Sequence, residues 1–329
     1  MDAYPTQLVP LRAGMMLDHY RIDSMVATSG MATIYRATDM TTDRTVAIKL
    51  PHIEMESDPV FFDRFQREEA IGTTLSHPGI IKVYAEQNRS RCYMVLEWVE
   101  GRLLRQVINE SGKLSPDRAV HMILQICDAL DYIHGQGVVH RDLKPENIMV
   151  DAGDRIKLID FGIASKAGAR RLTFGKLSKT QGTPEYISPE QIKGKRGDAR
   201  SDIYSVGVIL YEMLAGETPF CGSDPFLILN AKTHSAPPPP RKIAAEIPPA
   251  LEEITLRALE RDPLNRYRDA RELAWDLQHQ EQVAVGSSAD RRALNNQHAQ
   301  EKRGAFPYVL MGLIPLAILA LLLYVAGHG

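Results

Sequence analysis

Cysteine is scarce in this chain: Cys92, Cys127 and Cys221 are the only three in 329 residues, far apart and without CxxC spacing. That excludes a disulfide framework and gives no sign of a zinc site. Net charge of one sign is also missing. Lysine plus arginine number 39 against 41 acidic residues, a formal −2, which argues against a general nucleic-acid binder. The chain does not open on a basic, then apolar, then small-residue pattern, so no signal peptide is expected. One stretch lacks charge altogether: Phe306 to Val325 holds no Asp, Glu, Lys or Arg over twenty residues.

What is present concentrates around Val138 to Gly162, VVHRDLKPENIMVDAGDRIKLIDFG. Asp142 and Lys144 fall in a polar loop containing a proline, and Asn147 ends that loop. Asp160 follows the apolar run Ile156, Leu158 and Ile159, which predicts a strand. Asp-Ala-Gly-Asp at 151 to 154 predicts a hairpin turn. Its closure would bring Asn147 and Asp160 together as a hard-oxygen site suited to Mg²⁺.

HRDLKPEN followed by DFG, with eighteen residues from Asp142 to Asp160, resembles the catalytic segment of protein kinases. Lys144, two residues after Asp142, resembles the serine/threonine rather than the tyrosine branch. Further motifs extend the resemblance over about four-fifths of the chain. Val46-Ala47-Ile48-Lys49 resembles the third-strand VAIK, and Glu97-Trp98-Val99-Glu100-Gly101 the hinge. Gly182 to Glu190 reads GTPEYISPE, similar to GTxxYxxPE, and Asp262-Pro263 with Arg266 resembles the late arginine motif that pairs with Glu190.

The resemblance implies an α+β, bilobal protein kinase fold: a small antiparallel sheet with one helix, then a larger helical lobe. Its expected bounds are residues 20–280, with the N-lobe at 20–96, the hinge at 97–101 and the C-lobe at 102–280. Residues 1–19 are left as an N-terminal extension. The implied activity is transfer of the ATP γ-phosphate to Ser/Thr hydroxyls of proteins. Asp142 would accept the hydroxyl proton, Lys144 would steady the γ-phosphate, and Thr183 would bridge the two. Asn147 and Asp160 would hold Mg²⁺, with Mn²⁺ as a substitute. Lys49 would bind the α and β phosphates while paired with Glu68.

Glu68 and Glu69 both lie near the apolar face of a predicted helix carrying Phe61, Phe62, Phe65, Ile71 and Leu75. Periodicity does not choose between them; the family's spacing from His77-Pro78 selects Glu68. Adenine is expected against the backbone of Glu97 and Val99, with Leu96 behind it and Val26, Ile34, Ala47 and Met149 around the ring.

The phosphate loop departs from the family. Where GxGxxG is expected the chain reads Ala27-Thr28-Ser29-Gly30-Met31-Ala32, followed by Thr33, so both leading glycines and the last are replaced. A Cβ at such positions restricts the backbone's approach to phosphate. That departure motivates an alternative, a nucleotide-binding scaffold with little transferase activity. A small-molecule kinase is a third reading, disfavoured by GTPEYISPE.

The segment after DFG resembles an activation loop. Thr173, Ser178 and Thr180 are its candidate phosphosites, with Arg141 available to a loop phosphate. Residues 281–305 read as a juxtamembrane linker. Residues 306–325, at about 1.5 Å per residue, match the roughly 30 Å core of a bilayer. Phe306, Tyr308 and Tyr324 suit the interfaces, and 326–329 form a short tail. Arg291, Arg292, Lys302 and Arg303 precede the span and no Lys or Arg follows it, placing the kinase domain on the cytoplasmic side of a single-pass anchor. Expected partners are protein substrates, a cognate phosphatase, membrane lipid and a homodimer mate, although no GxxxG pattern supports helix pairing.

Overall fold

The computed structural model describes residues 11–56, 58–160 and 184–287. Two compact units divide the chain, Met1–Val283 and Ala284–Gly329. Only 284–287 of the second are described.

The first unit opens on a six-stranded antiparallel sheet: β1 Met16–Leu17, β2 Tyr20–Thr28, β3 Ala32–Asp39, β4 Arg44–Pro51, β5 Val83–Tyr84 and β6 Met94–Glu97, ordered β1-β2-β3-β4-β6-β5. Strand alternation decides which lobe surface each residue serves. On β4, Val46, Ile48 and Leu50 pack with Tyr20, Ile22, Tyr35 and Val95 in a small core on one face. Ala47 lies on the opposite face with Met94 and Leu96, joined to the large core. Lys49 shares that second face by its spacing from Ala47, and its register partner is Met94.

The sheet begins earlier than the expected residue 20, because β1 pairs with β2 and buries Leu17. A two-residue strand is too short to show periodicity in sequence.

Between β4 and β5 lie α1, Ile53–Glu56, and α2, Pro59–Gly72. Asp58 caps α2 by accepting from the amides of Val60 and Phe61, with Pro59 just inside the helix. Phe65 and Ile71 are buried beneath it. Past α2 the chain is tied to the lower lobe: the amide of Ile81 donates to the carbonyl of Leu158 (2.9 Å), and that of Leu158 to Gly79 (2.9 Å).

The larger lobe starts with β7 Arg102–Leu103, α3 Leu104–Ser111 and α4 Pro116–Gly135. Ser115 caps α4 with Pro116 as its first residue, and Met122, Ile123, Ile126 and Leu130 are fully buried. Next come β8 Ile148–Val150 and β9 Ile156–Leu158, which pair antiparallel across the Asp151–Asp154 turn.

Five further helices follow among the described residues: α5 Pro189–Ile192, α6 Ala199–Ala215, α7 Pro225–His234, α8 Pro249–Ala258 and α9 Ala270–Gln278. Every residue of α6 from Ser201 to Ala215 is buried, so it is the axle of this lobe. Gly207 permits that, since a Cβ there would stand 2.8 Å from the Ala258 side chain. Among the described residues no helix is long and apolar enough to cross a membrane. The expected span at 306–325 lies outside them.

Candidate active site

The site forms where the sheet of the small lobe faces the β8–β9 hairpin. Lys49 reaches down from β4 and donates to Glu68 Oε1 on α2 at 2.7 Å and to Asp160 Oδ1 at 3.4 Å. Burial opposes charge on Lys49, but the carboxylates of Asp160 and Glu68 outweigh it and hold the ammonium protonated. Burial also pushes Glu68 up, to about 7, with Lys49 opposing. Asp160 suffers the same burial, yet Lys49 keeps it below the usual carboxylate range. Two carboxylates share one ammonium, whose charge opposes the burial of both.

Glu69 has its own partner. Arg89, in the loop before β6, forks onto it through Nη1 to Oε1 (2.7 Å) and Nη2 to Oε2 (3.1 Å), and also donates to the Tyr93 carbonyl. Adjacent glutamates on α2 are thus held by different elements.

The catalytic-segment residues converge on Asp142. Lys144 Nζ donates to Asp142 Oδ2 at 3.0 Å, and Asn147 Nδ2 donates to the same oxygen at 3.2 Å and to the Asp142 carbonyl at 2.8 Å. Oδ1 of Asp142 accepts from none of these groups. With its nitrogen engaged twice, Asn147 keeps Oδ1 as its acceptor. The amide of Ile159 donates to the Asn147 carbonyl (3.0 Å), so the pairing of β8 with β9 continues outward to set Asn147 opposite Ile159, the residue before Asp160. An amide oxygen just before β8 and a carboxylate just past β9 are donors of the hard-oxygen type. Among the described residues no cluster of three or more His, Cys, Asp or Glu could hold a metal by itself. A cation here would share its remaining positions with phosphate or water.

Asp202, fully buried at the start of α6, organises this loop. Its carboxylate accepts from the amides of His140 (2.9 Å) and Arg141 (2.7 Å) and meets His134 Nε2 at 2.8 Å. These bonds hold Arg141 at φ +65, a left-handed conformation costing roughly 1–2 kcal/mol for a residue with a Cβ. Burial opposes charge on Asp202, but the His134 contact leads a set of bonds that keep it ionised. His140 is wholly buried, and its pKa is lowered by that burial.

Arg105 on α3 is a second hub, which no motif announces. Its Nε donates to Glu146 (2.8 Å), Nη1 to Glu212 on α6 (2.6 Å) and Nη2 to the Tyr186 hydroxyl. Gln191 accepts from Ser188 and donates to the Arg141 carbonyl (3.0 Å), tying the end of GTPEYISPE to the catalytic loop. Buried Lys232 on α7 donates to the carbonyls of Pro184 (3.1 Å) and Glu185. Lone cations in unpatterned positions left no signal for Arg89, Arg105 or Lys232 in the sequence.

At the hinge, the Glu97 amide donates to Lys82 (2.8 Å) and its carboxylate takes Lys157 at 2.9 Å. Of the expected ring-lining residues, Ala47 is buried, Ile34 and Met149 are half-buried and Val26 is 50 % exposed. Above them β2 and β3 run to Thr28 opposite Thr33, closing in a two-residue turn at Gly30 and Met31. Thr183 and the candidate phosphosites Thr173, Ser178 and Thr180 lie outside the described residues.

Comparison with known proteins shows the family. The family model described as protein kinase domain matches residues 20–275. The serine/threonine-protein kinase PknB of Mycolicibacterium smegmatis is 38% identical over 265 residues, covering 79% of this chain and 42% of the relative. The probable serine/threonine-protein kinase SCO3848 of Streptomyces coelicolor is 38% identical over 264 residues, covering 79% and 39%. The chain therefore spans about two-fifths of the length of these curated relatives. The crystal structure of the Mycobacterium tuberculosis PknI kinase domain superposes with a TM-score of 0.65 at 26% identity, covering 82% of this chain and all of that one.

Proposed function

Because the chain belongs to the protein kinase family, we propose that it is an ATP-dependent serine/threonine protein kinase whose chemistry is run by Asp142, Lys144, Asn147, Asp160, Lys49 and Glu68. The observation that carries this reading is the convergence of Lys144 and Asn147 on one oxygen of Asp142, which leaves the other for an incoming hydroxyl. Asp142 takes the proton of a substrate Ser or Thr as its oxygen bonds to the γ-phosphorus. The bond from that phosphorus to the β–γ bridging oxygen breaks, and ADP leaves. Lys144 lies 3.0 Å from Asp142, placed to balance charge on the transferring group.

Lys49, kept charged, binds the α and β phosphates, and Glu68 fixes where it points. Asn147 Oδ1 and Asp160 fit a divalent cation, for which we assign Mg²⁺, with Mn²⁺ as a substitute. When bound, the cation neutralises phosphate charge and orients the triphosphate. With the Glu97 amide committed to Lys82, its carbonyl and the backbone of Val99 are left to adenine. Thr183 bridging Asp142 and Lys144, and autophosphorylation at Thr173, Ser178 or Thr180, belong to the same proposal. So do a phosphatase that resets the signal and a homodimer that presents one activation loop to another active site.

The apolar 306–325 segment is proposed as a single-pass anchor that holds the kinase domain against lipid on the cytoplasmic face.

The test is transfer of labelled γ-phosphate from ATP to the chain itself and to a basic protein substrate. Wild type is expected to label both. Asp142→Asn and Lys49→Met should each lose at least about a hundredfold, since each removes a group that acts on the transferring phosphoryl centre. If wild type binds ATP yet labels nothing, and Asp142→Asn behaves identically, the scaffold reading replaces this one.

A further inference from the structure

The tip of the β2–β3 hairpin is already occupied by its own side chain. Ser29 Oγ accepts from the amides of Ala32 (3.1 Å) and Met31 (3.3 Å) and donates to the Ala32 carbonyl (3.1 Å). The Ser29 amide closes the turn onto that same carbonyl at 2.9 Å. Behind the tip, Thr28 Oγ1 lies 3.2 Å from Thr33 Oγ1, which lies 3.1 Å from His52 Nε2, so the hairpin is braced below the turn. Successive amides at a tight turn are anion donors, the role a phosphate-cradling loop needs from them. Glycine at position 29 would leave both without a local acceptor.

We propose that Ser29 sets nucleotide affinity by occupying, with its hydroxyl, the two loop amides that a bound polyphosphate would otherwise recruit. This rests on the kinase reading of the site and deepens it: the replaced glycine is a built-in competitor for phosphate. The competition is specific to the phosphates. It acts on two hydrogen bonds at the loop tip and leaves the hinge and the ring-lining residues untouched.

The experiment is calorimetric binding of adenosine, ADP and ATP·Mg to the full chain as wild type, Ser29→Ala and Ser29→Thr. Ser29→Ala keeps the Cβ and removes the oxygen. Because net hydrogen bonds of this kind are modest, it is expected to tighten ADP and ATP about fivefold while adenosine stays within about twofold. Ser29→Thr, which restores the oxygen, should return ADP and ATP to the wild-type range.

The proposal is overturned if Ser29→Ala binds ADP and ATP no tighter than wild type. It is equally overturned if adenosine tightens in step with them, because that would mark a change in loop mobility rather than freed amides. Wild type that binds adenosine but neither ADP nor ATP also overturns it. Wild type that binds none of the three defeats the kinase reading itself, which is a distinguishable result.

Discussion

At the scale of single residues, the chain commits its most deeply buried charges to holding loops rather than to chemistry. Arg266 is fully buried and forks onto Glu190 at 2.7 and 2.8 Å, and it also donates to the carbonyls of Glu260 and Arg200. Ser201 adds a hydroxyl to the same carboxylate. Burial opposes charge on Glu190, but Arg266 holds it below the usual carboxylate range. Removing one partner strands the other, which for a buried pair costs about 3–5 kcal/mol. Arg266→Met should therefore lower the melting temperature by on the order of 10 °C in a calorimetric scan. A shift under about 2 °C would mean that the pair does not hold the end of the activation segment.

The sign of the pH dependence follows from the same carboxylates. Glu190 and Asp202 both have folded pKa values below their unfolded ones, so their contribution is present above the unfolded pKa and is lost as pH falls through the folded values. Stability from this pair should drain away below about pH 4, and Glu190→Gln should flatten that limb of the curve.

Elements show why part of the site was readable and part was not. HRDLKPEN and DFG flank one hairpin, so their spacing sets Asn147 opposite Ile159, one residue before Asp160, when that hairpin closes. Glu68 and Glu69 were different, because neighbours on a helix both lie near the apolar face and only their partners separate them. Those partners come from β4 and from the loop before β6, nineteen and twenty residues away, and no local pattern carries that information. Arg105 likewise gathers Glu146, Tyr186 and Glu212 from three elements without any signature of its own. The strand β1 went unseen for a different reason: two residues cannot display a period.

The two glutamates give α2 a mechanical role. Successive helical residues point about 100° apart, so the Lys49–Glu68 and Arg89–Glu69 pairs grip the helix from two directions. Rolling α2 about its axis breaks one or the other. Glu69→Gln should lower kcat/KM for ATP by roughly tenfold, about 1.4 kcal/mol, by letting Glu68 drift from Lys49. Exchanging the charges as Glu69→Arg with Arg89→Glu should recover most of that loss, whereas loss of fold alone would not be recovered. Unaltered kinetics in Glu69→Gln would confine Arg89 to packing the small lobe.

On the scale of the whole molecule, the anchor proposal assigns the kinase domain and the C-terminal segment to different solvents. The Met1–Val283 unit buries its apolar side chains in two cores that share the sheet, the larger one running from beneath that sheet through α4 and α6. The 306–325 segment, by contrast, has twenty residues without a charge and no polar face by which a soluble helix could pack one side inward. Its proposed solvent is hydrocarbon, where about 30 Å of helix closes its own hydrogen bonds. The full chain expressed in a bacterium should therefore sediment with membranes and resist extraction by alkaline carbonate or high salt, yielding only to detergent. A chain ended after residue 287 should be recovered in the supernatant with its kcat on a soluble substrate within about twofold of the detergent-extracted parent. Full-length protein that is soluble and monodisperse without detergent would end the anchor proposal, because an uncharged run of that length left in water would aggregate.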